Sequence, residues 1–290
     1  MEFITAIKKN EALIAEMDSL QSDQQHFYLW WLGQSGFLLQ WKGQRILIDP
    51  YLSNSLTKKY ITTNKPHERM SERVMDPVLL KNIFIVTSSH NHTDHLDSET
   101  LIPVLKNNPG INFIIPEANR DFVVERVQCK RNFPVGLTDG QSVTYRDFTI
   151  HGIPAKHNEI ERDEMGNCKY MGYVIEFDKW KIYHSGDTLW FEEMVGLLKP
   201  FAVDIAILPI NGNDPARGVA GNLNCKEAAK LAKAINAQCV IPCHYDMFTF
   251  NTADVNEFAK EAEKIDQPYK ILRGGERFQN EGEYSKITKQ

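Results

Sequence analysis

The sequence is poor in cysteine, with only 5 among its 290 residues. The count is odd, the five are widely spaced, and no two of them form a C-x-x-C pair. Small secreted proteins that depend on disulfides carry dense, paired cysteines instead. The sequence therefore argues against a disulfide framework and for a reducing compartment.

Long apolar runs are also missing. No stretch approaches the roughly 18 consecutive apolar residues that a membrane-spanning helix needs. The first 25 residues contain interleaved acidic side chains and no small-residue cleavage site, so they do not have the pattern of a signal peptide. We expect no membrane partner and a cytoplasmic location.

Concentrated positive charge is absent as well. The chain has 33 Lys and Arg against 38 Asp and Glu, which gives a formal net charge of -5, and the basic residues are spread along the sequence. A surface that binds nucleic acid needs clustered basic residues. We therefore expect no nucleic-acid partner.

The chain does contain strand-rich blocks that alternate with helices, twice over. Residues 3–20 place apolar side chains at helical spacing, which predicts a helix within an N-terminal extension over residues 1–25. Three aromatic-rich segments between residues 26 and 51 then predict short antiparallel strands. Residues 52–76 are polar, basic and aperiodic, which is typical of a functional or disordered loop.

This alternation predicts an α/β fold in which two sheets pack face to face with helices outside, a four-layer αββα sandwich. One of the outer helices is predicted over residues 189–199. No linker composition, low-complexity tract or short repeat divides the rest of the chain. Residues 26–290 are therefore predicted to form one domain.

The strongest chemical pattern is His90-x-His92-x-Asp94-His95, which directly follows an apolar segment predicted as a strand. Two imidazoles at positions i and i+2 can point the same way, while Asp94 and His95 can face a second centre close by. Imidazole and carboxylate together suit Zn²⁺, Mn²⁺ or Fe²⁺. The whole chain has 9 histidines, so three within six residues favour a metal site over a solvent-facing polar loop.

A site for two metal ions needs further ligands from other strand ends. His157, Asp187 and His244 each follow an apolar segment that is predicted as a strand. Each alone would be weak evidence, but their shared position makes them candidates. Gly186 precedes Asp187, and a glycine lets the backbone approach a ligand closely.

The ligand order H-x-H-x-D-H, a later His, a Gly-Asp pair and a final strand-end His resembles that of the metallo-β-lactamase superfamily. Within it, the chain looks similar to the L-ascorbate-6-phosphate lactonase family and its relatives. This closer resemblance rests on the H-x-H-x-D-H loop and on residues 183–187, 215–219 and 241–246. It implies the metallo-β-lactamase fold, an αββα sandwich, and a hydrolytic site with two divalent ions, Zn²⁺ or Mn²⁺.

The resemblance also assigns ligands to the two ions. One ion would be held by His90, His92 and His157, the other by Asp94, His95 and His244, with Asp187 bridging the two. Such ions lower the pKa of a bound water, so the expected nucleophile is a metal-bound hydroxide. Asp94 is the expected catalytic residue, because it could orient this nucleophile or pass a proton to the leaving oxygen.

Residues close to these ligands form a weaker set of candidates. Asp49 ends a predicted strand and would either orient a ligand histidine or cap a turn. The substrate candidates, which suit a phosphate, a polyhydroxyl group or a developing oxyanion, are Asn211, Asn213, Arg217 and Tyr245. The first three could equally lie in a solvated loop, and the alternatives for Tyr245 are as evenly balanced.

Other polar residues are interpreted as structural. The segment Gly33-Gln34-Ser35-Gly36 lacks the G-x-S-x-G spacing of a nucleophile elbow, so it is interpreted as a turn between two strands. His151 and His184 lie within predicted strands and are interpreted as core or sheet-surface histidines. Cys243 is interpreted as a packed core thiol.

These patterns lead to three hypotheses for function. The favoured one is metal-dependent hydrolysis of a small anionic lactone or ester, with L-ascorbate 6-phosphate as the nearest named substrate. The alternatives are a metal-dependent phosphodiesterase and a metal-dependent sensor or binding module without hydrolysis. The expected partner is a small anionic molecule, and the N-terminal helix could serve a contact in a homo-oligomer.

Overall fold

Two β-sheets face each other across an apolar core in the computed structural model, which describes residues 3–214 and 221–280. The strands in this part of the chain are, in order, β1 (Phe27–Gly33), β2 (Gly36–Trp41), β3 (Gln44–Ile48), β4 (Ile83–Thr87), β5 (Asn112–Pro116), β6 (Val135–Leu137), β7 (Ser142–Tyr145), β8 (Phe148–Pro154), β9 (Met171–Phe177), β10 (Trp180–His184), β11 (Ile205–Pro209), β12 (Cys239–Cys243) and β13 (Arg277–Gln279).

The first sheet has seven strands in the order β13-β1-β2-β3-β4-β5-β6. Strands β1, β2 and β3 pair antiparallel through short turns, as the sequence predicts, and β3 to β6 pair parallel. The second sheet has six strands in the order β12-β11-β10-β9-β8-β7. In it β7 to β10 are antiparallel, and β10, β11 and β12 are parallel.

The helices cover the outer faces of the two sheets. They are α1 (Asn10–Ser19), α2 (Ser55–Tyr60), α3 (Ser98–Asn107), α4 (Arg120–Val127), α5 (Met194–Leu198), α6 (Cys225–Ala234) and α7 (Val255–Glu263), with short 3₁₀ turns at Pro77–Leu79, Glu117–Asn119 and Lys199–Phe201. Buried side chains of α1, α3 and α4 pack with one face of the first sheet, and those of α5, α6 and α7 pack with the second.

Strand β1 shows how the layers arise from alternating side chains. Leu29 and Trp31 point into the core between the sheets, where Phe148 and Phe177 also lie. Trp30 points to the opposite face, into the core beneath the helices of the first sheet. Because both faces of this strand are covered, all its residues are buried. The predicted four-layer αββα sandwich is confirmed.

Two helix predictions are wrong in extent. The helix expected over residues 3–20 begins only at Asn10, because Ile4 instead pairs with Ser71 as an isolated β-bridge and donates its N–H to Met70 at 2.9 Å. The helix expected over residues 189–199 is reduced to Met194–Leu198 and the 3₁₀ turn that follows. In both cases apolar spacing extends beyond the residues that pack as a helix.

The segment over residues 52–76 also differs from the sequence interpretation. Residues 52–76 contain α2, and part of this segment pairs with the chain after β12: Met70 donates its N–H to Met247, and Thr249 donates to Glu68, both at 2.9 Å.

No described helix is long and apolar enough to cross a membrane. The division between an N-terminal extension and a hydrolase domain stays a prediction.

Candidate metal centre

The predicted ligands meet because their strands end at one edge of the sandwich. Parallel strands point their carboxyl ends to the same side, and β3 pairs parallel with β4 as β10 does with β11 and β11 with β12. The H-x-H-x-D-H loop follows β4, Asp187 follows β10, and His244 follows β12. The antiparallel β8 ends at the same edge and leads to His157.

Six of these residues form two groups in which the candidate ligand atoms lie within 4.8 Å of one another. The first group is His90, His92 and Asp187, and the second group is Asp94, His95 and His244.

The Asp187 carboxylate lies between the two groups. Its Oδ1 is 2.8 Å from His244 Nε2 and 3.2 Å from His95 Nε2, and its Oδ2 is 3.9 Å from His90 Nε2. One carboxylate oxygen therefore faces each group. This is the arrangement that a carboxylate bridging two cations requires.

Four buried polar atoms show that the residues fit metal ions. Four atoms are inaccessible to water and make no hydrogen bond of normal geometry to a described residue, although Asp187 Oδ1 lies close to His244 Nε2: His90 Nε2, His95 Nε2, His244 Nε2 and Asp187 Oδ1. Buried polar atoms without partners are rare in folded proteins, since each one costs about 1–3 kcal/mol. Imidazole nitrogen and carboxylate oxygen are ligands that Zn²⁺ and Mn²⁺ both accept, and a pair of such cations would satisfy all four atoms.

The charges at the site are set by burial and by close contacts. Burial lowers the pKa of His90 well below its usual value, so this imidazole is neutral and its lone pair is available. Burial opposes the charge of Asp187, but His244 and His95 hold the pKa of its carboxyl well below the usual value. The Asp187 carboxylate therefore stays ionised, as a cation ligand must be.

Asp49 holds two of the histidines from behind. It is fully buried, and its Oδ2 lies 2.8 Å from His95 Nδ1. Ser89 donates its N–H to Asp49 at 3.0 Å, also donates its hydroxyl to the same carboxylate, and lies 3.0 Å from His90 Nδ1. Contacts at Nδ1 leave Nε2 of both rings facing the site, which is the usual way a protein orients ligand histidines.

His157 lies beside the first group without being part of it. Its buried ring is 4.7 Å from the ring of His92, measured between centroids, and 6.0 Å from that of His90. Gly221 packs on this ring so closely that a Cβ there would lie about 2.5 Å from it. The predicted ligand role of His157 stays a prediction.

The weaker substrate candidates lie in different surroundings. Asn211 is buried and donates its side-chain N–H to Asn251 at 2.7 Å, while Asn213 is exposed. Arg217 lies outside the described residues. A substrate role for these three stays a prediction.

Tyr245 as an oxyanion donor is wrong. The side chain is 1% exposed and stacks on Trp31, with ring centroids 4.4 Å apart. Its hydroxyl donates to the carbonyl of Leu272 and accepts the N–H of the same residue at 3.2 Å. Both the donor and the acceptor of the hydroxyl are thus used in the core.

The residues interpreted as structural lie where the sequence places them. His184 is buried with Nε2 at 3.1 Å from the Ser35 hydroxyl, and His151 lies 3.0 Å from Glu176 on the second sheet. Cys243 is buried, and burial raises the pKa of its thiol well above the usual value. None of the three belongs to either ligand group.

Two residues at the site were missed by sequence reasoning. The ring of Tyr170 lies 4.9 Å from that of His157 and 5.1 Å from that of His90. The Gln34 side chain contacts both Asp94 and His244. Tyr170 has no motif around it, whereas Gln34 stands in a turn that joins β1 to β2 at the edge where the ligands gather.

Comparison with known proteins identifies the same region. The family described as beta-lactamase superfamily domain matches residues 28–244, which begin in β1 and end at His244. The UPF0173 metal-dependent hydrolase of Caldivirga maquilingensis is 27% identical over 241 residues, which is 82% of this chain and 90% of that protein.

Solved structures share the fold. Igni18, a metallo hydrolase of Ignicoccus hospitalis, has a TM-score of 0.64 at 23% identity, covering 89% of this chain and 99% of its own. An isothiocyanate hydrolase from Delia radicum gut bacteria has a TM-score of 0.67 at 18% identity, covering 87% of this chain and 98% of its own. At these identities the likeness supports the sandwich and not a substrate.

Replacing Asp187 by Asn is predicted to remove bound metal while leaving the fold intact. The amide keeps the shape of the side chain but not the charge. Since even the partners of ligands contribute 10–100-fold to metal affinity, we expect a loss of about 100-fold or more. Metal content after dialysis, measured by mass spectrometry, checks this.

Asp204→Asn is the matched control, because this acid precedes β11 at the opposite end of the second sheet, where it accepts the Lys181 N–H at 2.8 Å. It should keep its metal. Equal metal content in Asp187→Asn and the wild type would contradict the assignment of the centre.

Proposed function

The chain belongs to the metallo-β-lactamase superfamily, and from this membership we propose that it is a metal-dependent hydrolase of small anionic lactones or esters. The substrate class includes L-ascorbate 6-phosphate. We propose two divalent cations, Zn²⁺ or Mn²⁺, one held by the first group and one by the second group, with the Asp187 carboxylate between them. The name carried by the Caldivirga maquilingensis relative supports the metal-dependent reaction.

The observation that carries this proposal is the position of Asp187. Its two oxygens face different groups of imidazoles, and neither a simple salt bridge nor a core hydrogen bond needs such an arrangement. When bound there, divalent cations supply an activated water and polarise the oxygen that gains negative charge. The protein supplies the positions of the reacting groups and the proton transfers.

Asp94 is the residue we assign to the attacking water. Burial opposes its charge, but the imidazoles of His95 and His244 lower the pKa of this carboxyl below its usual value. The carboxylate is therefore an acceptor at neutral pH, able to orient a water or to take its proton. With 8% of its surface exposed, Asp94 reaches the cleft without being open to bulk solvent.

We propose that substrate reaches the site from the side of His92. His92 is exposed, in contrast to the buried His90 and His95. Lys59 near the end of α2 is exposed, and its charge adds a small contribution to the lowering of the His92 pKa, which burial mainly causes. A cation whose charge is felt at His92 favours an anionic substrate.

Tyr170 is the residue we assign to the leaving oxygen. Its ring is half-buried against His90, His92 and His157. Burial raises the pKa of this phenol above its usual value, with Glu161 and Asp187 adding to the effect. Tyr170 is therefore protonated at neutral pH and can donate to an alkoxide.

The purified protein, supplied separately with Mn²⁺ and Zn²⁺, is predicted to open L-ascorbate 6-phosphate faster than an uncharged lactone of the same ring size. The anion should lower KM, because Lys59 attracts it, while a metal-free sample should be inactive. Steady-state turnover of both lactones and of an aryl phosphodiester checks this. Cleavage of the phosphodiester with no lactone turnover would make the protein a phosphodiesterase. Failure to turn over any of the three would favour a sensor or binding module.

Replacing Tyr170 by Phe is predicted to lower kcat for lactones by about 100-fold, at the lower end of what a positioned acid contributes. Nitrophenyl esters should be little affected, because their leaving group needs no proton. Tyr145→Phe is the control, since this half-buried tyrosine lies in β7 on the outer strand of the second sheet. A loss that is equal for lactones and nitrophenyl esters would refute the assigned role.

A further inference from the structure

Gln34 lies in the turn between β1 and β2 and has no access to solvent. Its backbone is in the left-handed region, with φ of 53°, which a residue other than glycine seldom adopts. The Gln34 carbonyl accepts the N–H of His244 at 3.1 Å and the indole N–H of Trp31 at 3.1 Å. The turn is therefore fixed directly to the segment that carries a candidate ligand.

The Gln34 side chain contacts two residues of the second group. Its Nε2 is 2.9 Å from Asp94 Oδ2 and 3.0 Å from His244 Nδ1. Asp94 comes from the loop after β4 in the first sheet, and His244 follows β12 in the second sheet. One side chain thus links ligands that the two sheets supply separately.

We propose that Gln34 is a positioning residue for the second cation: it holds Asp94 and His244 at the spacing of a shared ligand set and fixes the orientation of the His244 ring. The inference rests on the two-cation site of the proposed function. It concerns the affinity for one ion and not the reaction.

The chemistry of an amide suits this role. A histidine that binds a cation through Nε2 carries its proton on Nδ1, so Nδ1 needs an acceptor. Gln34 offers both an N–H₂ group and a carbonyl oxygen, and Oε1 is buried with no hydrogen bond to a described residue. Asp94 and His244 contact the same Nε2, so the N–H₂ group donates to Asp94 in the orientation observed, and rotation by 180° presents Oε1 to the Nδ1–H of a cation-bound His244 in place of that bond.

The absence of charge on Gln34 matters as well. A carboxylate here would lie about as close to Asp94 as the amide does, at 2.9 Å, in a site that already contains Asp49 and Asp187. Like charges so close in a buried site repel strongly. The neutral amide contacts His244 at Nδ1, as Asp49 contacts His95 at Nδ1, without adding negative charge.

Gln40 provides a matched comparison within the same hairpin. It is equally buried in β2, but its amide donates to the carbonyl of Met17 at 2.9 Å and accepts from Arg45 at 2.7 Å. These contacts join the first sheet to α1 and touch neither ligand group. Loss of this amide should therefore affect stability without affecting metal binding.

The test is a titration of the full chain with Zn²⁺ against a chromophoric chelator, for the wild type, Gln34→Met and Gln40→Met. Methionine keeps the length of the side chain and removes its hydrogen bonds. The wild type should bind two ions. Gln34→Met should bind the first as before and the second 10–100-fold more weakly, the range seen for partners of metal ligands. Gln40→Met should match the wild type in both affinities.

If Gln34→Met does not fold, Gln34→Asn replaces it, since its amide is one methylene short of both ligands and the same loss is expected. Unchanged affinity for the second ion would overturn the inference. So would an equal loss in Gln40→Met, or a wild type that binds one ion. Because no substrate enters the titration, weakened binding in Gln34→Met would support the inference even if no lactone is turned over.

Discussion

The site depends on one constraint, the burial of the Asp187 carboxylate among imidazoles at the edge between two apolar sheets. In such surroundings, charged and polar groups are stable only when each has a partner. Hydrogen bonds at Nδ1 support the rings of His90, His95 and His244 from behind, while the Nε2 atoms and Asp187 Oδ1 have none from the described residues. Divalent cations would supply the missing partners of these atoms. Metal binding is therefore expected to stabilise the site as well.

The rest of the fold serves to hold this set in place. Several residues around it have backbone φ angles in the left-handed region, namely Gln34, Asp49, Gly186 and His244. For the three that are not glycine this conformation costs of order 1–3 kcal/mol, and such strain persists only where surrounding structure enforces it. A sandwich in which β4, β8, β10 and β12 all end at one edge can enforce it. The residues that line the cleft then decide which reaction is catalysed, since one fold supports many reactions.

The sequence allowed much of this to be predicted, and the limits have physical causes. Ligands that follow apolar strands, such as Asp187, are visible because strand ends of a sheet converge. Tyr170 was missed because its place at the site comes from packing across distant segments, which leaves no local pattern. Tyr245 was assigned to the site because it adjoins His244, although its ring belongs to the core. The turn at Gln34 was recognised, but its contacts to two sheets were not. Cytoplasmic location and oligomeric state stay predictions.

The most direct test of the central claim is anomalous diffraction from crystals of the protein grown with Zn²⁺ or Mn²⁺, recorded at the absorption edge of each metal. Two peaks are predicted, about 3.5–4 Å apart as in other two-metal hydrolytic sites, one beside His90 and His92 and the other beside Asp94, His95 and His244. Asp187 should lie between them. A single peak away from Asp187, or no peak at this edge of the sandwich with either metal, would contradict the account.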